Sequence, residues 1–174
     1  MEMIGRRSFW FCRLALMMIG IIGVWGCDDD DSYSGLTWQD PPSPGDMTWE
    51  EAKAYCDNLS FDGHDDWRLP TISELRSLIR GCSDTQTGGA CSVTDDRLEF
   101  SWRNNPCNGC EYGAGPGSEG AYWPDSLSGN DWFWSSSEVA DFADHAWGVE
   151  FYRGSVGYSE IDYPFPARCV RSRP

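Results

Sequence analysis

Two segments between residues 48 and 80 place their apolar side chains at helical spacing. Each segment begins with the pattern T-x-x-E, in which the threonine caps the helix and the glutamate bonds back to the threonine. The patterns start at Thr48 and Thr71 and predict two short amphipathic helices, over about 48–59 and 71–80. The polar positions of the second helix, including Arg76, are predicted to face solvent. The predicted buried positions are Trp49, Ala52, Cys56 and Leu59 in the first helix and Ile72, Leu75, Leu78 and Ile79 in the second.

The second helix follows an extended stretch that ends in a proline. Pro70 keeps Leu69 out of the helical region, and its ring is tolerated just outside a helix start. Trp67 and Leu69 then become core positions. The stretch is therefore predicted to shape the fold rather than to bind a ligand.

After residue 131, apolar and polar residues alternate with a period of two, which indicates β-strands. The clearest run alternates Trp147, Val149 and Phe151 with smaller or polar neighbours, and the turn at Gly154 lets the chain return as a hairpin. The predicted strands cover residues 36–39, 132–137, 147–152, 156–159 and 167–171. Two early helices followed by antiparallel strands predict an α+β domain, with the helices packed on a small twisted sheet.

Regular patterns fade between residues 81 and 129, a glycine-rich stretch that carries four cysteines. Long irregular loops in compact domains are usually functional or disordered, and the cysteines and aromatic residues argue against disorder. Aromatic rings in such a loop are candidates for a platform on which sugar or peptide rings stack. The alternative is that they form the small core of the loop itself. The candidate ligand-binding residues are Trp102, Tyr112, Tyr122, Trp123 and Trp132.

Residues 1–26 are typical of a bacterial export signal. Three arginines precede an apolar run of about a dozen residues, shorter than the roughly 20 that a membrane-spanning helix needs. The run ends in Val24-Trp25-Gly26-Cys27, which resembles a lipobox and implies a lipid on Cys27. The Arg6-Arg7 pair leaves both the Sec pathway and the twin-arginine pathway open as export routes. We expect residues 27–34 to form an acidic tether and residues 35–174 to form one domain.

Acidic residues dominate the chain, whose formal net charge is −15. Removal of residues 1–26 leaves 10 basic and 27 acidic residues, a formal charge of −17. Such a chain repels a phosphate backbone, so nucleic acid is not an expected partner. The acidic run after Cys27 resembles both an inner-membrane retention signal and a surface-export signal. The expected location is therefore the bacterial cell envelope, where Cys27 anchors the chain to a lipid bilayer of the inner or outer membrane, with exposure at the cell surface also open.

Six cysteines remain in the exported domain, and an oxidising compartment makes three disulfides the expected state. Spacing alone does not select the pairing. The Cys107–Cys110 segment (CNGC) lies in a loop rather than at a helix start, and a second pair of ligands at suitable spacing is missing. A disulfide is therefore favoured there over a redox or metal site. The simplest scheme has the pairs Cys82–Cys91, Cys107–Cys110 and Cys56–Cys169.

Catalytic patterns are weak in this sequence. His64 and His145 are its only histidines and neither lies near a serine motif, so we expect no hydrolytic triad and predict that the chain is not an enzyme. No cofactor is expected, although carboxylates supply the oxygen ligands that calcium prefers. Solvated acidic loops are favoured over calcium, because no segment matches the calcium-loop pattern. The acidic positions considered are Asp62, Asp65, Asp66, Asp125, Asp131, Glu138, Asp141 and Asp144.

Five segments together carry a family resemblance, namely YCDNL, DDWRLPTISELRSLI, FWSSSE, AWGVEFYRG and RCVR. In this combination the chain resembles the Lcl C-terminal domain family over about residues 36–171. The resemblance implies a C-type lectin-like fold, in which a cysteine of the first helix bridges to the last strand, here Cys56 to Cys169. The founding member belongs to a collagen-like bacterial adhesin that binds sulfated polysaccharide. This chain has no Gly-X-Y repeat, and its negative charge opposes a sulfated ligand.

The expected function is that of an anchored binding or adhesion module for an extracellular glycan or protein. Two alternatives stay open. One is a structural envelope component without a dissociable ligand, and the other is an enzyme related to formylglycine-generating proteins, which share the broad fold. The enzyme would need a reactive cysteine pair in a cleft, so disulfide bonding of all six domain cysteines would argue against it.

Overall fold

The computed structural model describes residues 35–99, 106–129 and 131–173. The export signal, Cys27, the tether and Trp102 lie outside these residues. Within the described ranges, no helix is long and apolar enough to cross a membrane. The predicted α+β class is confirmed. The elements are β1 (Leu36–Trp38), α1 (Trp49–Asp57), α2 (Ile72–Arg76), a 3₁₀ turn (Ser118–Gly120), β2 (Trp132–Val139), β3 (Phe142–Glu150), β4 (Ser155–Glu160) and β5 (Val170–Ser172).

The strands of the described residues form two antiparallel sheets, whereas the sequence predicted one. In the larger sheet the order is β2-β3-β4, and β3 pairs with β4 from His145–Glu160 to Glu150–Ser155. In the smaller sheet β1 pairs with β5, so the first and last strands of the domain lie side by side. A further bridge joins β5 to the extended stretch before α2.

The three-stranded sheet separates two cores. On one face, Phe133, Val149 and Val156 pack with α2 and with the aromatic residues of the long loop. On the other face, Trp134 and Ala146 pack with α1 and the helix cysteine. Because consecutive strand residues face opposite sides, the Trp-Phe-Trp run of β2 contributes to both cores.

Both predicted capping boxes are confirmed. The Thr48 N–H donates to Glu51 Oε2 over 2.9 Å, and the Thr71 N–H donates to Glu74 Oε2 over 2.8 Å. In each box the threonine hydroxyl accepts from the backbone N–H of the glutamate. The second helix ends at Arg76, earlier than predicted, and the chain continues to residue 79 through single turns.

The WRLPT and WSSSE segments meet at the edge of β2. The Ser136 N–H donates to the carbonyl of Pro70 over 2.7 Å, and the Ile72 N–H donates to Ser137 Oγ over 3.0 Å. Ser135 Oγ in turn donates to the carbonyl of Trp147 over 2.7 Å. These serines satisfy backbone groups where a strand edge meets a helix start, which supports a structural role for the WRLPT stretch.

Glu74 predicts how stability depends on pH. Its carboxylate accepts two hydrogen bonds from Arg68, over 2.6 and 2.7 Å, besides the one from Thr71. Burial raises the pKa of Glu74, but the bonds from Arg68 and Thr71 outweigh burial and hold it below the ordinary value. A carboxyl with a lowered folded-state pKa stabilises the fold above its unfolded-state pKa of about 4.3, and this contribution is lost as the pH falls through the folded-state value.

We therefore expect the free energy of unfolding to decrease below about pH 4.3, with a shallower decrease in Glu74→Gln. At neutral pH that variant should be less stable by about 1 kcal/mol. Urea unfolding between about pH 3 and pH 7 measures both effects. Glu50→Gln, in the exposed pair with Lys53, is the matched control. Its free energy of unfolding should decrease at low pH as steeply as that of the wild type. An equally steep decrease in Glu74→Gln and the wild type would contradict the proposed contribution of Glu74 to the pH dependence.

The prediction that Arg76 faces solvent is wrong. Its side chain is buried, with 4% of the residue exposed, and its partners among the described residues are backbone carbonyls. It bonds the carbonyl of Thr85 over 3.0 and 3.1 Å and that of Cys91 over 3.1 Å, and it also bonds those of Gln86 and Val93. Burial lowers the pKa of Arg76. The loop from residue 85 to residue 93 is thus built around this cation, a relation that helical periodicity does not reveal.

The disulfides confirm one predicted pair and correct two. Cys56 is bonded to Cys169, with 5.4 Å between the Cα atoms, as predicted. The two local pairs are wrong, because the remaining cysteines are bonded across the loop instead. Each bond encloses the next, so the three bridges are nested. The observed pairs are Cys56–Cys169, Cys82–Cys110 and Cys91–Cys107.

The correction has a physical cause in the turn between β3 and β4. The carbonyl of Cys107 accepts from the Val156 N–H over 2.9 Å, and the Cys110 N–H donates to the carbonyl of Arg153 over 2.7 Å. The segment between them lies directly on this turn, because a Cβ on Gly109 would come within 2.4 Å of the Arg153 carbonyl oxygen. The turn therefore fixes the backbone of the CNGC segment, and its two sulfurs bond to different partners.

Candidate ligand-binding surface

The five aromatic residues predicted as a stacking platform do not form one surface. Tyr122 and Trp123 are core residues, exposed by 3% and 0%, so the prediction that they bind ligand is wrong. Trp132 is half-buried, Tyr112 is 57% exposed, and Trp102 lies outside the described residues. Trp123 packs between Phe133 and Phe151, with ring centroids 5.5 and 4.6 Å away. The loop aromatics thus divide between a small core and the surface.

The exposed ring of Tyr112 belongs to a stacked pair. It lies nearly parallel to the ring of Tyr152, with centroids 5.0 Å apart and an interplanar angle of 19°. The guanidinium of Arg153 lies 5.4 Å from the Tyr112 centroid. An exposed aromatic face next to a cation and hydroxyl groups offers both an apolar platform and polar partners. We call Tyr112, Tyr152 and Arg153 the tyrosine surface.

The tyrosine surface rests on a rigid support. Tyr112 follows Cys110, which is bonded to Cys82, and the Gly113 N–H donates to the carbonyl of Tyr152 over 2.8 Å. The Tyr122 N–H donates to the carbonyl of Phe151 over 2.7 Å, on the same turn. Backbone bonds on both sides of the pair therefore hold the loop against the β3–β4 turn, and a ligand would meet preorganised rings.

Negative charge lies close to Tyr152. Loss of solvent raises the pKa of Tyr152, and the nearby Glu119, Tyr112 and Asp131 raise it further. Asp131 lies at the start of β2, where its carbonyl accepts from the Phe151 N–H over 3.2 Å. Glu119 lies in the 3₁₀ turn, whose Gly120 carbonyl accepts from the Gly115 N–H over 2.8 Å. Carboxylates on two segments thus act electrostatically on Tyr152.

A second aromatic group lies on the three-stranded sheet. Trp132 lies across Gly148 and Gly157, since a Cβ on Gly157 would come within 2.9 Å of its indole. Its ring packs on Phe165, with centroids 5.3 Å apart, and Phe165 stacks on Tyr163, which is 58% exposed. These rings extend the second core outward, and the exposed part is a single tyrosine.

The two histidines lie in different places. His64 lines a shallow groove of about 310 Å³ with Ser60, Phe61, Gly63 and Asp65. His145 is in β3, where its Nδ1 lies 2.8 Å from Asp144 Oδ1. In the described ranges, no group of three or more His, Cys, Asp or Glu side chains is placed to hold a metal ion. The groove at His64 and the His145–Asp144 pair therefore add no metal site to the tyrosine surface.

A comparison with protein families identifies the family to which the domain belongs. A family model, the Lcl C-terminal domain, matches residues 30–171. The chain belongs to the Lcl C-terminal domain family. No curated protein matches the chain. The C-type lectin-like fold that the resemblance implied stays a prediction, whereas the α+β architecture with three disulfides is observed.

The motifs of this Lcl C-terminal domain build the fold rather than the surface. The arginine of the terminal RCVR segment, Arg168, is fully buried and donates to the carbonyl of Gln39 over 2.6 Å. Arg171 of the same segment pairs with Asp66 over 2.7 Å, and that bond lowers the pKa of the aspartate.

Sequence reasoning missed Tyr152 and Arg153 as surface residues of the Lcl C-terminal domain. Both follow β3, where the period of two placed Phe151 inside the core and its neighbours outside. The signal was therefore present, because a tyrosine and an arginine stand directly before the glycine of a hairpin turn. Their contact with Tyr112 joins positions 40 residues apart, and no local pattern predicts it.

Proposed function

We propose that this Lcl C-terminal domain is the binding module of an exported, lipid-anchored envelope protein, and that it binds a glycan on the tyrosine surface. The observation that carries the proposal is the exposed, parallel Tyr112–Tyr152 stack held on a disulfide-linked loop. A tyrosine face contacts the apolar face of a sugar ring over a large area at low entropy cost. The neighbouring guanidinium and carboxylates provide partners for sugar hydroxyls.

Two further observations support the envelope context. The six domain cysteines are all in disulfides, which are typical of exported proteins. Residues 1–26 resemble a lipoprotein signal peptide, with Cys27 as the first residue after the cleavage site. The lipid on Cys27 would make a bilayer the first partner of the chain. The alternative of a formylglycine-type enzyme has no free cysteine pair to rest on in the described residues.

The test is glycan binding by the exported full chain, extracted in mild detergent. We expect a glycan array to identify ligands. Tyr112→Ala should lower the affinity for them at least tenfold, about 1.4 kcal/mol. Tyr112→Phe keeps the ring and should bind nearly as the wild type does. Tyr163→Ala removes an equally exposed tyrosine from the other aromatic group and is the matched control.

Equal weakening by Tyr112→Ala and Tyr163→Ala would contradict the tyrosine surface as the site. A ligand that proves to be a protein, bound through Tyr112, would replace the glycan in the proposal. No Tyr112-dependent ligand in either an array or a pull-down would favour the structural envelope component.

A further inference from the structure

The two stacked rings of the tyrosine surface each follow a peptide group whose carbonyl oxygen accepts a hydrogen bond. A peptide group is planar, so the carbonyl of one residue and the Cα atom of the next lie in the same plane. The orientation of the Glu111–Tyr112 plane therefore constrains the direction in which the Tyr112 side chain leaves the backbone. The Phe151–Tyr152 plane does the same for Tyr152.

One residue, Tyr122, donates to both of these carbonyls. Its Oη donates to the carbonyl of Glu111 over 2.7 Å, and its backbone N–H donates to the carbonyl of Phe151, also over 2.7 Å. Tyr122 is only 3% exposed, so its two donors have few alternative partners in solvent. The peptide groups that lead into the two stacked rings are thus held by the same buried residue.

The ring of Tyr122 also packs against the turn that carries the third member of the surface. Gly154 directly follows Arg153, and a Cβ on Gly154 would lie 3.1 Å from Tyr122 Cγ. The same Cβ would lie 3.2 Å from Cys82 Cβ. Tyr122 is itself fixed from the other side, because its carbonyl accepts from the Arg80 N–H over 2.8 Å.

We infer that Tyr122 is the positioning residue of the tyrosine surface, and that its hydroxyl holds Tyr112 in the orientation that binds ligand. This inference rests on the proposed binding function and adds a residue that acts on the site without touching the ligand. Backbone hydrogen bonds from Cys110 and Gly113 hold the two ends of the loop segment. Without the hydroxyl of Tyr122, the peptide group between those ends turns more freely, and binding then has to order the Tyr112 ring.

The test removes one oxygen atom from the full chain, extracted in mild detergent. Tyr122→Phe keeps the ring against the turn and keeps the backbone N–H, so the Phe151 carbonyl stays bonded. Tyr55→Phe is the matched control, because that hydroxyl accepts from Gln39 Nε2 over 2.8 Å beside the second core. Both variants should unfold about 3–5 °C below the wild type, the effect of one hydrogen bond.

Amide hydrogen exchange measures the positioning without a ligand. The Gly113 N–H donates to the carbonyl of Tyr152, and in Tyr122→Phe it should exchange about fivefold faster than in the wild type. The reason is that local opening of the loop no longer breaks the bond to Glu111. In Tyr55→Phe the exchange rate of Gly113 should stay that of the wild type. Equal acceleration in both variants would mean that the Tyr122 hydroxyl serves only global stability, which would overturn the inference.

An array of neutral, acidic and amino-sugar oligosaccharides provides the binding measurement. Tyr122→Phe should lower the affinity for every saccharide whose binding depends on Tyr112, by about threefold to tenfold. Added to Tyr112→Ala, the same substitution should have no further effect, because the ring that it positions is gone. Tyr55→Phe should bind as the wild type does.

The outcomes separate this inference from the proposed function. Wild-type affinity in Tyr122→Phe overturns the inference and leaves glycan binding intact. A further loss of affinity when Tyr122→Phe is added to Tyr112→Ala also overturns it, because Tyr122 then acts by another route. If no saccharide depends on Tyr112, the proposed function is overturned. Faster exchange of Gly113 in Tyr122→Phe alone would then still support the positioning of Tyr112, and an unchanged rate would overturn both.

Discussion

Arg168→Leu is expected to lower the free energy of unfolding by about 3–4 kcal/mol, because it removes the donor of hydrogen bonds to one buried and two partly buried acceptors. The guanidinium is fully buried and donates to the carbonyl of Gln39, to Asp40 Oδ1 over 3.1 Å and to the carbonyl of Ser128. It also lies 4.7 Å from the Trp123 ring centroid. One cation thus joins β1, the end of the long loop and the first core.

The energetic balance at Arg168 decides the sign of this effect. Burial lowers the pKa of Arg168, which shows that the fold bears a desolvation cost for the cation. Replacing a whole buried polar cluster by apolar groups can be neutral, but here only the donor is removed and the Gln39 carbonyl stays buried. The loss of three hydrogen bonds therefore exceeds the gain from removing the charge.

Calorimetry or urea unfolding measures the difference, and the midpoint temperature should fall by roughly 10 °C. Arg168→Lys keeps the charge but lacks the planar guanidinium that donates in two directions. Its stability should therefore lie between that of Arg168→Leu and that of the wild type. Arg173→Leu, an exposed arginine near the same terminus, should change stability by less than about 0.5 kcal/mol. Arg168→Leu as stable as the wild type would show that the leucine side chain compensates fully.

The second large effect is expected from the Cys56–Cys169 bridge. The bonded residues are 113 positions apart, and closing so long a loop restricts the unfolded chain by about 4–5 kcal/mol in the chain-entropy model. The inner bridges shorten the effective loop, but the cost varies only with the logarithm of its length. The double variant Cys56→Ala, Cys169→Ala should lose about this free energy of unfolding, and because both cysteines are fully buried it also leaves a small cavity.

The inner bridge provides the comparison. Cys91 and Cys107 are 16 positions apart, so their double alanine variant should lose about 3 kcal/mol, less than the outer pair. Parallel urea titrations of both variants with the other bridges intact give the two values. A larger loss for the inner pair would mean that local packing, rather than unfolded-state entropy, governs these disulfides.

Local chemistry predicted both helix starts and the hairpin, but not where α2 ends or that the strands divide into two sheets. Both helix starts follow from T-x-x-E boxes, which act within three residues, and both boxes are observed. The β3–β4 hairpin follows from a period of two on either side of Gly154. The simplest cysteine scheme and the family resemblance both gave the Cys56–Cys169 pair, and the family itself is confirmed over residues 30–171.

Long-range contacts decided the remaining features, and they did so against the local pattern. Arg76 occupies a polar helix position yet is buried, because the carbonyls of the following loop surround it. Tyr122 and Trp123 lie in a loop sequence yet are core residues, because distant parts of the chain enclose the loop. Trp123, for example, packs on Phe133 of β2 and on Phe151, which directly follows β3. The burial of a side chain depends on which distant residues pack around it, and the local spacing of apolar residues does not predict those contacts.

The candidate site shows the same division. From the sequence alone, the long cysteine-rich loop stood out as the place for function, and its Tyr112 as one of five candidate rings. The tertiary structure selected Tyr112, removed two of the others to the core, and added Tyr152 and Arg153 from the hairpin turn. The reason is that stacking and exposure are properties of pairs of distant residues. The amino-acid order sets which rings exist, and the packing of the loop on the turn sets which of them a ligand can reach.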